Sequence, residues 1–177
     1  RAKSNCFETV CCHHEQSAGF AAMADSQLNQ SPSLVIVSSG CASTNAMTPL
    51  LCAWQDELPV IFISGQNILN ETSFYTGLDI RTYGQQEANI VEIVKPLTKY
   101  ANMITSANDV PLIVEDAVSA AISGRKGPVW IDIPLDIQSA RIEDHTLANF
   151  SKHRPTKINA VQKSERLKLN TLYRELS

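Results

Sequence analysis

The sequence predicts an α/β domain, a doubly wound parallel sheet with helices on both faces, followed by a linker and the start of a second domain. Short, continuous apolar runs, such as residues 34–37 and 60–63, alternate with longer stretches of helical type. Continuous apolar strands are typical of parallel sheets that are covered on both faces. Right-handed crossovers between such strands place helices on both sides of the sheet.

The first half of the chain predicts an alternation of strands and helices. A short buried strand at residues 7–12 precedes a helix at residues 15–28. The β-branched run at residues 34–37 is of strand type and stops at Ser-Ser-Gly. A second helix, residues 43–54, leads to the next strand, residues 60–63, which ends at a Ser-Gly-Gln turn.

The second half begins with a long loop at residues 67–85, rich in Asn, Thr and Gly, of a kind that is often functional. A helix follows at residues 86–94 and is closed by a proline, and residues 98–104 form another strand. Asn108 or Asp109 caps a helix at residues 110–123, and two glycines end it. The last strand, residues 129–133, stops at a proline.

The composition changes near residue 140 and predicts the domain boundaries. Residues 1–140 form the α/β domain, residues 141–157 a polar linker, and residues 158–177 the first helix of a following domain. Leucines on one face of that last helix need a covering partner, because an isolated helix of this length is marginal. The chain does not begin with Met and its first strand starts within ten residues, so we expect it to be a fragment.

The composition excludes several classes of protein. With 177 residues, 44% apolar and 19% charged, the chain has the balance of a globular domain with a core. Its net charge of −3, without a Lys/Arg cluster, argues against a nucleic-acid partner. No apolar run approaches the ~20 residues that cross a bilayer, so we expect no membrane partner. Five cysteines, an odd number without framework spacing, favour a reducing, cytoplasmic location.

Polar side chains follow three of the predicted strands. The first set contains Glu15, the second contains Gly40, Cys41 and Asn45, and the third contains Gln66. Ligands of open parallel sheets bind beyond the carboxyl ends of the strands, so these sets converge on one edge. Taken alone, Glu15 is also explained as a surface carboxylate that the helix dipole favours.

The run Cys11-Cys12-His13-His14 raises the possibility of a metal site, which we disfavour. Adjacent residues on a strand point to opposite faces, so four in a row cannot converge on one ion. We therefore predict no metal ligand in this chain. A Cys-His nucleophile pair is disfavoured too, because no oxyanion-stabilising set accompanies it. His13 or His14 remains a candidate to line the pocket.

Five segments together resemble the thiamine-diphosphate-dependent 2-oxo-acid enzymes, the acetolactate synthase and benzoylformate decarboxylase group. The run HHEQSAGFAA resembles the family's H-E-Q-x-A/G-G-F-A-A, SSGCASTN its T-S-G-P-G-A-T-N, and ISGQ its I-T-G-Q. Gln-Glu followed by KPLTK resembles F-Q-E…R-P-I-T-K, and GPVWIDIPLDIQ resembles G-P-V-x-V-D-I-P-x-D-x-Q. The resemblance covers roughly residues 7–143 and implies the amino-terminal, pyrimidine-binding (PYR) domain without its first strand.

The resemblance also implies roles for the residues at the sheet edge. Glu15 would be the catalytic carboxyl that activates thiamine diphosphate through N1′ of its aminopyrimidine. Gly40, Cys41 and Asn45 would shape the cofactor pocket, and Gln66 would be a catalytic residue on the substrate side. Burial of Glu15 under a partner domain should raise its pKa toward neutrality. The substrate implied is a 2-oxo acid, which is decarboxylated or ligated.

Some residues depart from the family's pattern. Cys41 replaces a proline, Ala42 a glycine, and Gln85 stands where acetolactate synthases carry Phe. The family's G-D-G…Asn signature, which binds Mg²⁺ and diphosphate, does not occur in this chain. We therefore expect Mg²⁺ to be held by a domain outside it, the diphosphate-binding domain of a second subunit, in a homodimer or homotetramer. The alternatives are a separate small subunit of a two-chain decarboxylase and a non-catalytic binding or assembly domain.

Overall fold

Four parallel strands form the sheet of this domain in the computed structural model, which describes residues 9–142. Their order across the sheet is β1-β2-β4-β3. The strands are β1 (Ser33–Val37), β2 (Val60–Gln66), β3 (Tyr100–Met103) and β4 (Val129–Pro134).

Helices precede, connect and follow the strands. In chain order they are α1 (Glu15–Asn29), α2 (Cys41–Asn45), α3 (Met47–Gln55), α4 (Ser73–Thr76), α5 (Ile90–Val94), α6 (Val110–Ile122) and α7 (Leu135–Ser139). Short 3₁₀ turns lie at Leu69–Glu71, Lys95–Leu97 and Ala107–Asp109. No helix within residues 9–142 is long and apolar enough to span a membrane.

The strand order explains why the helices lie on both faces of the sheet. The chain moves in one direction from β1 through β2 to β3, and α1, α3 and α5 contribute to one core with side chains of β1 and β2. It then returns from β3 to the inner strand β4 through α6, which packs on the opposite face. A right-handed crossover that reverses direction must change face. The doubly wound α/β class predicted from the sequence is confirmed.

The core on the first face contains a stacked aromatic pair. Phe62 and Trp130 are register partners on β2 and β4, and both are fully buried. Their ring centroids lie 5.2 Å apart with an interplanar angle of 2°. Gly19 of α1 lies so close to α3 that a Cβ atom there would be 2.3 Å from Cγ of Pro49. Only a glycine allows this approach, which fixes the start of α1 over the sheet.

The core on the second face is aliphatic. Ile131 of β4 is fully buried there, and Ile61 and Ile63 of β2 pack against it. Ala117 and Ala121 of α6 are also fully buried, because small side chains let the helix approach the sheet. The face of β1 is less well covered: Leu34 is 46% exposed and Ile36 is 70% exposed.

Three predicted elements differ from the structure. Residues 9–12 form no strand; Val10, Cys11 and Cys12 are exposed, and β1 pairs only with β2 among the described residues. The Ser-Gly-Gln segment predicted as a turn extends β2 to Gln66, because it continues the register with β4 as far as Pro134. The helix predicted at residues 86–94 begins only at Ile90.

Other predicted boundaries are close to those observed. The predicted helix at residues 43–54 is two helices, α2 and α3, joined at Ala46. The predicted loop at residues 67–85 contains a 3₁₀ turn and α4, and α7 follows the last strand where no helix was predicted. The predicted linker at residues 141–157 lies almost entirely outside the described residues, as does the helix predicted at 158–177.

Candidate functional site

Glu15 is the first residue of α1, and its carboxylate contacts the segment that follows β1. The preceding residue, His14, is extended and makes no side-chain capping bond. The Asn45 side chain donates from Nδ2 to Oε2 of Glu15 at 2.7 Å. The same Nδ2 lies 3.2 Å from Nε2 of His14. Two of the three predicted sets of polar residues are thus in direct contact through side chains.

Hydrogen bonds set the charge state of Glu15. Its own backbone N–H and the Asn45 amide lower the pKa of this carboxyl, and they outweigh its partial burial. Both donors lower the pKa because they stabilise the ionised form of the carboxyl. Glu15 is therefore a carboxylate at neutral pH in this domain, half-buried at the start of a helix.

The segment after β1 is shaped by Gly40. This glycine caps α2 with a φ of 60°, and a Cβ atom there would lie 2.0 Å from the carbonyl oxygen of Gln86. Glycine is therefore required both by the backbone conformation and by the neighbour. Below it, Oγ of Ser43 donates to the carbonyl oxygen of Ser38 at 2.6 Å. Cys41, the first residue of α2, is exposed.

Gln66 is buried, and its amide is turned into the protein. Nε2 donates to the carbonyl oxygen of Ala88 at 2.8 Å and to Oδ2 of Asp132 at 3.0 Å. Oε1 accepts the backbone N–H of Asn67 at 3.1 Å. Only 5% of the residue is exposed. Gln66 does not contact Glu15 or Asn45 through any of these bonds, so the structure does not join the third set directly to the other two.

A buried carboxyl group beside Gln66 was not predicted as part of the site. Asp132 of β4 is fully buried, and Oγ of Ser64 donates to its Oδ1 at 2.6 Å. Nε1 of Trp130 in turn donates to Oγ of Ser64 at 2.8 Å. Burial raises the pKa of Asp132 to about 6, although the bonds from Ser64 and Gln66 oppose the rise. Two signals in the sequence point to it: it is an aspartate inside an otherwise apolar strand, and it lies in the segment GPVWIDIP that carries part of the family resemblance.

The segment of residues 84–88 connects Gln66 to Gly40. Its Ala88 carbonyl accepts from Gln66, and its Gln86 backbone lies against Gly40 with a φ of 55°. Glu87 fixes the same segment from the other side. Its carboxylate accepts the backbone N–H of Ser73 at 2.6 Å and the backbone N–H of Tyr83.

The same hydrogen bonds keep Glu87 ionised. Burial by itself raises the pKa of this carboxyl, but bonds from Ser73, Tyr83 and Gly84 outweigh it, so the pKa is lowered. Gln85, at the family's Phe position, is exposed, and its carbonyl oxygen accepts from Nδ2 of Asn67 at 3.1 Å.

Within residues 9–142, no group of three or more His, Cys, Asp and Glu side chains is placed to hold a metal ion. What the described residues do assemble is a rim: the start of α1, the turn into α2 and the 84–88 segment, with Gln66 and Asp132 beneath. A parallel α/β domain with polar side chains at the carboxyl ends of its strands belongs to the class of open-sheet ligand-binding domains.

Comparison with known proteins identifies the family. A family model described as "Thiamine pyrophosphate enzyme, N-terminal TPP binding domain" matches residues 1–93. The acetolactate synthase large subunit of Corynebacterium glutamicum is 39% identical over 134 residues, which are 76% of this chain and 20% of that protein. Isozyme 1 large subunit of Escherichia coli acetolactate synthase is 34% identical over 137 residues, 77% of this chain and 23% of that protein.

The mitochondrial acetolactate synthase catalytic subunit of Saccharomyces cerevisiae is also similar, 35% identical over 77% of this chain and 19% of its own length. The chain spans about a fifth of the length of these relatives. It belongs to the thiamine pyrophosphate enzyme family and corresponds to its N-terminal cofactor-binding domain. The resemblance drawn from the five sequence segments is thereby confirmed.

Proposed function

We propose that this chain is the pyrimidine-binding domain of an enzyme that uses thiamine diphosphate to decarboxylate or ligate a 2-oxo acid, with Glu15 as its catalytic carboxyl. One observation carries the assignment of the residue: Asn45, the last residue of α2, donates to Glu15, the first residue of α1, at 2.7 Å. A surface carboxylate at a helix start needs no such partner from 30 residues away. The bond gives the carboxylate a fixed position at the rim of the sheet.

The donor set at the rim fits an aminopyrimidine. A carboxylate in this position can bind a protonated ring nitrogen, and the hydrogen bond from Asn45 holds the carboxylate in place. Thiamine diphosphate, when bound, supplies an acidic carbon and an electron sink for chemistry on 2-oxo acids. Glu15 would hold the proton that it shares with N1′ of the aminopyrimidine, and Asn45 would orient Glu15.

The pKa of Glu15 must rise for this role. Its present hydrogen bonds lower the pKa. Cover by a partner domain would remove water from the carboxylate and raise its pKa, which suits proton exchange near neutral pH. The partner we propose is the diphosphate-binding domain of a second subunit, which would also hold Mg²⁺, in a cytoplasmic homodimer or homotetramer.

The other rim residues have supporting roles in this proposal. Gly40 lets the 84–88 segment lie against the turn into α2, and Cys41, which is exposed, would contact the cofactor from that turn. A direct contact of Gln66 with substrate would require its amide to leave Ala88 and Asp132. We therefore propose that Gln66 acts through the segment that it holds.

Exchange of the thiazolium C2 proton for deuterium tests the role of Glu15. In the complete protein loaded with thiamine diphosphate and Mg²⁺, Glu15→Gln should slow this exchange on the order of 10²–10⁴-fold, the usual value of a positioned acid–base group. Glu71→Gln is the matched control, because Glu71 is exposed and lies outside the rim. Exchange at the normal rate in Glu15→Gln would disprove the assignment.

A further inference from the structure

We propose that Asp132 is a positioning residue of the rim: it fixes the Gln66 amide and, through it, the 84–88 segment that lies against Gly40. The inference rests on the proposed function only in assuming that the rim binds the cofactor. The contacts themselves are independent of any cofactor, so they can be tested separately.

The orientation of the Gln66 amide is the first step. Nε2 has two hydrogens, and the structure gives them two acceptors, the Ala88 carbonyl and Oδ2 of Asp132. Asp132 is the acceptor that a buried amide requires on the inner side. Without it the amide would keep one buried hydrogen unpaired, and rotation to satisfy that hydrogen would break the bond to Ala88.

The position of Asp132 is the second step. It lies opposite Ser64 in the register of β2 and β4, and Ser64 donates to its other oxygen, Oδ1. Trp130 donates to Ser64 and stacks on Phe62, so the network is anchored in the core. The Asp132 carboxylate on the inner strand β4 is therefore held in place, and it fixes the orientation of the long, flexible Gln66 side chain.

The 84–88 segment is the third step. On its inner side Gln66 donates to the Ala88 carbonyl oxygen, and Asn67 donates to that of Gln85. On its outer side Glu87 accepts from Ser73 and Tyr83. The backbone of Gln86 lies so close to Gly40 that a Cβ atom at residue 40 would be 2.0 Å from the Gln86 carbonyl oxygen. A small displacement of the 84–88 segment therefore changes the contacts that support the turn into α2. Asn45, which holds Glu15, is the last residue of that helix.

Hydrogen exchange measured by mass spectrometry on the complete protein tests the proposal. Asp132→Val removes the acceptor, and we expect peptides within residues 84–90 to exchange about tenfold faster, the effect of about one hydrogen bond. Asp132→Asn is the conservative variant: its amide oxygen can still accept from Gln66 while its NH₂ donates to Ser64. It should keep the wild-type protection of residues 84–90.

Ser64→Ala is the matched control, because it breaks the same buried network but leaves the bond between Asp132 and Gln66. It should loosen residues 84–90 less than Asp132→Val does, because Asp132 loses the bond from Ser64 but keeps the one to Gln66. Gln66→Met removes the amide from the other end and should loosen the same peptides, with no additional effect when it is combined with Asp132→Val. This variant carries the test if Asp132→Val does not fold.

The proposal is overturned if residues 84–90 stay protected in Asp132→Val, or if Asp132→Asn or Ser64→Ala loosens them equally. It is also overturned if Asp132→Val accelerates exchange uniformly, with β1 affected as much as the segment, since that result indicates global destabilisation. Failure of the proposed function is seen elsewhere, as normal C2 exchange in Glu15→Gln, and leaves the peptide result unchanged.

Discussion

Asp132 makes the stability of this domain depend on pH in an unusual direction. Burial raises its pKa from an ordinary value of 3.8 to about 6. Between these two values the folded chain keeps a proton that the unfolded chain releases. The free energy of unfolding therefore falls as the pH rises through this window, and above pH 6 the penalty is complete.

The magnitude follows from the difference between the two pKa values. From 3.8 to about 6, at about 1.4 kcal/mol for each pH unit, the contribution is about 3 kcal/mol. Both groups that bond to the carboxyl, Ser64 and Gln66, are neutral, so neither reverses the sign. Asp132→Asn removes the titrating group and keeps its shape.

Urea unfolding of the wild-type chain and of Asp132→Asn, followed by circular dichroism from pH 4 to pH 8, measures this contribution. Relative to the wild type, the free energy of unfolding of Asp132→Asn should rise by about 2.5 kcal/mol between pH 4 and pH 8, because part of the contribution is already lost at pH 4, and most of this rise should occur below pH 6.5. Other groups titrate alike in both chains and cancel in the difference. A difference that stays constant across the range would refute the assignment of a buried, titrating carboxyl.

The remaining predictions concern the rim and the core. Asn45→Ala should raise the pKa of Glu15, because the Asn45 amide lowers it; the pH profile of C2 exchange in the complete protein should move upward, and an unchanged profile would contradict this role. Gly40→Ala should destabilise the fold by about 1–3 kcal/mol in urea unfolding, since its φ is 60° and Gln86 blocks the added methyl group; Gly77→Ala, at a φ of 72° with open space around it, should cost less. Phe62→Ala should cost about 3–5 kcal/mol through loss of its stack with Trp130, and a cost below 1 kcal/mol would contradict the packing.

The sequence predicted the elements that depend on local pattern. The strands β1 and β4 follow from continuous apolar runs and from the turn residues that end them, and α1 follows from the stretch of helical type that begins at Glu15. The predicted helix at residues 86–94 is absent before Ile90, because tertiary contacts there prevail over local helix propensity. Glu87 accepts hydrogen bonds from Ser73 and Tyr83, and Gln86 takes a left-handed conformation, so helix formation is delayed to Ile90.

The sequence predicted which residues form the candidate site, but not the hydrogen bonds between them. The convergence of strand ends placed Glu15 and Asn45 at one edge, and the structure adds the bond between them. The inward orientation of Gln66 could not be predicted, because it depends on Asp132, 66 residues further along the chain. Nor could the role of Gly40, whose neighbour is the protein's own Gln86.

The side of β1 that pairs with no strand of residues 9–142 has a consequence for work with this chain in isolation. Among residues 9–142 this strand pairs on one side only, and Leu34 and Ile36 present bare aliphatic surface next to its open main-chain groups. An exposed edge strand of this kind can pair with a strand of a second molecule, and such pairing leads to aggregation. A lysine in place of Ile36 would interrupt that growth without entering either core, and it offers a simple route to concentrated samples for spectroscopy.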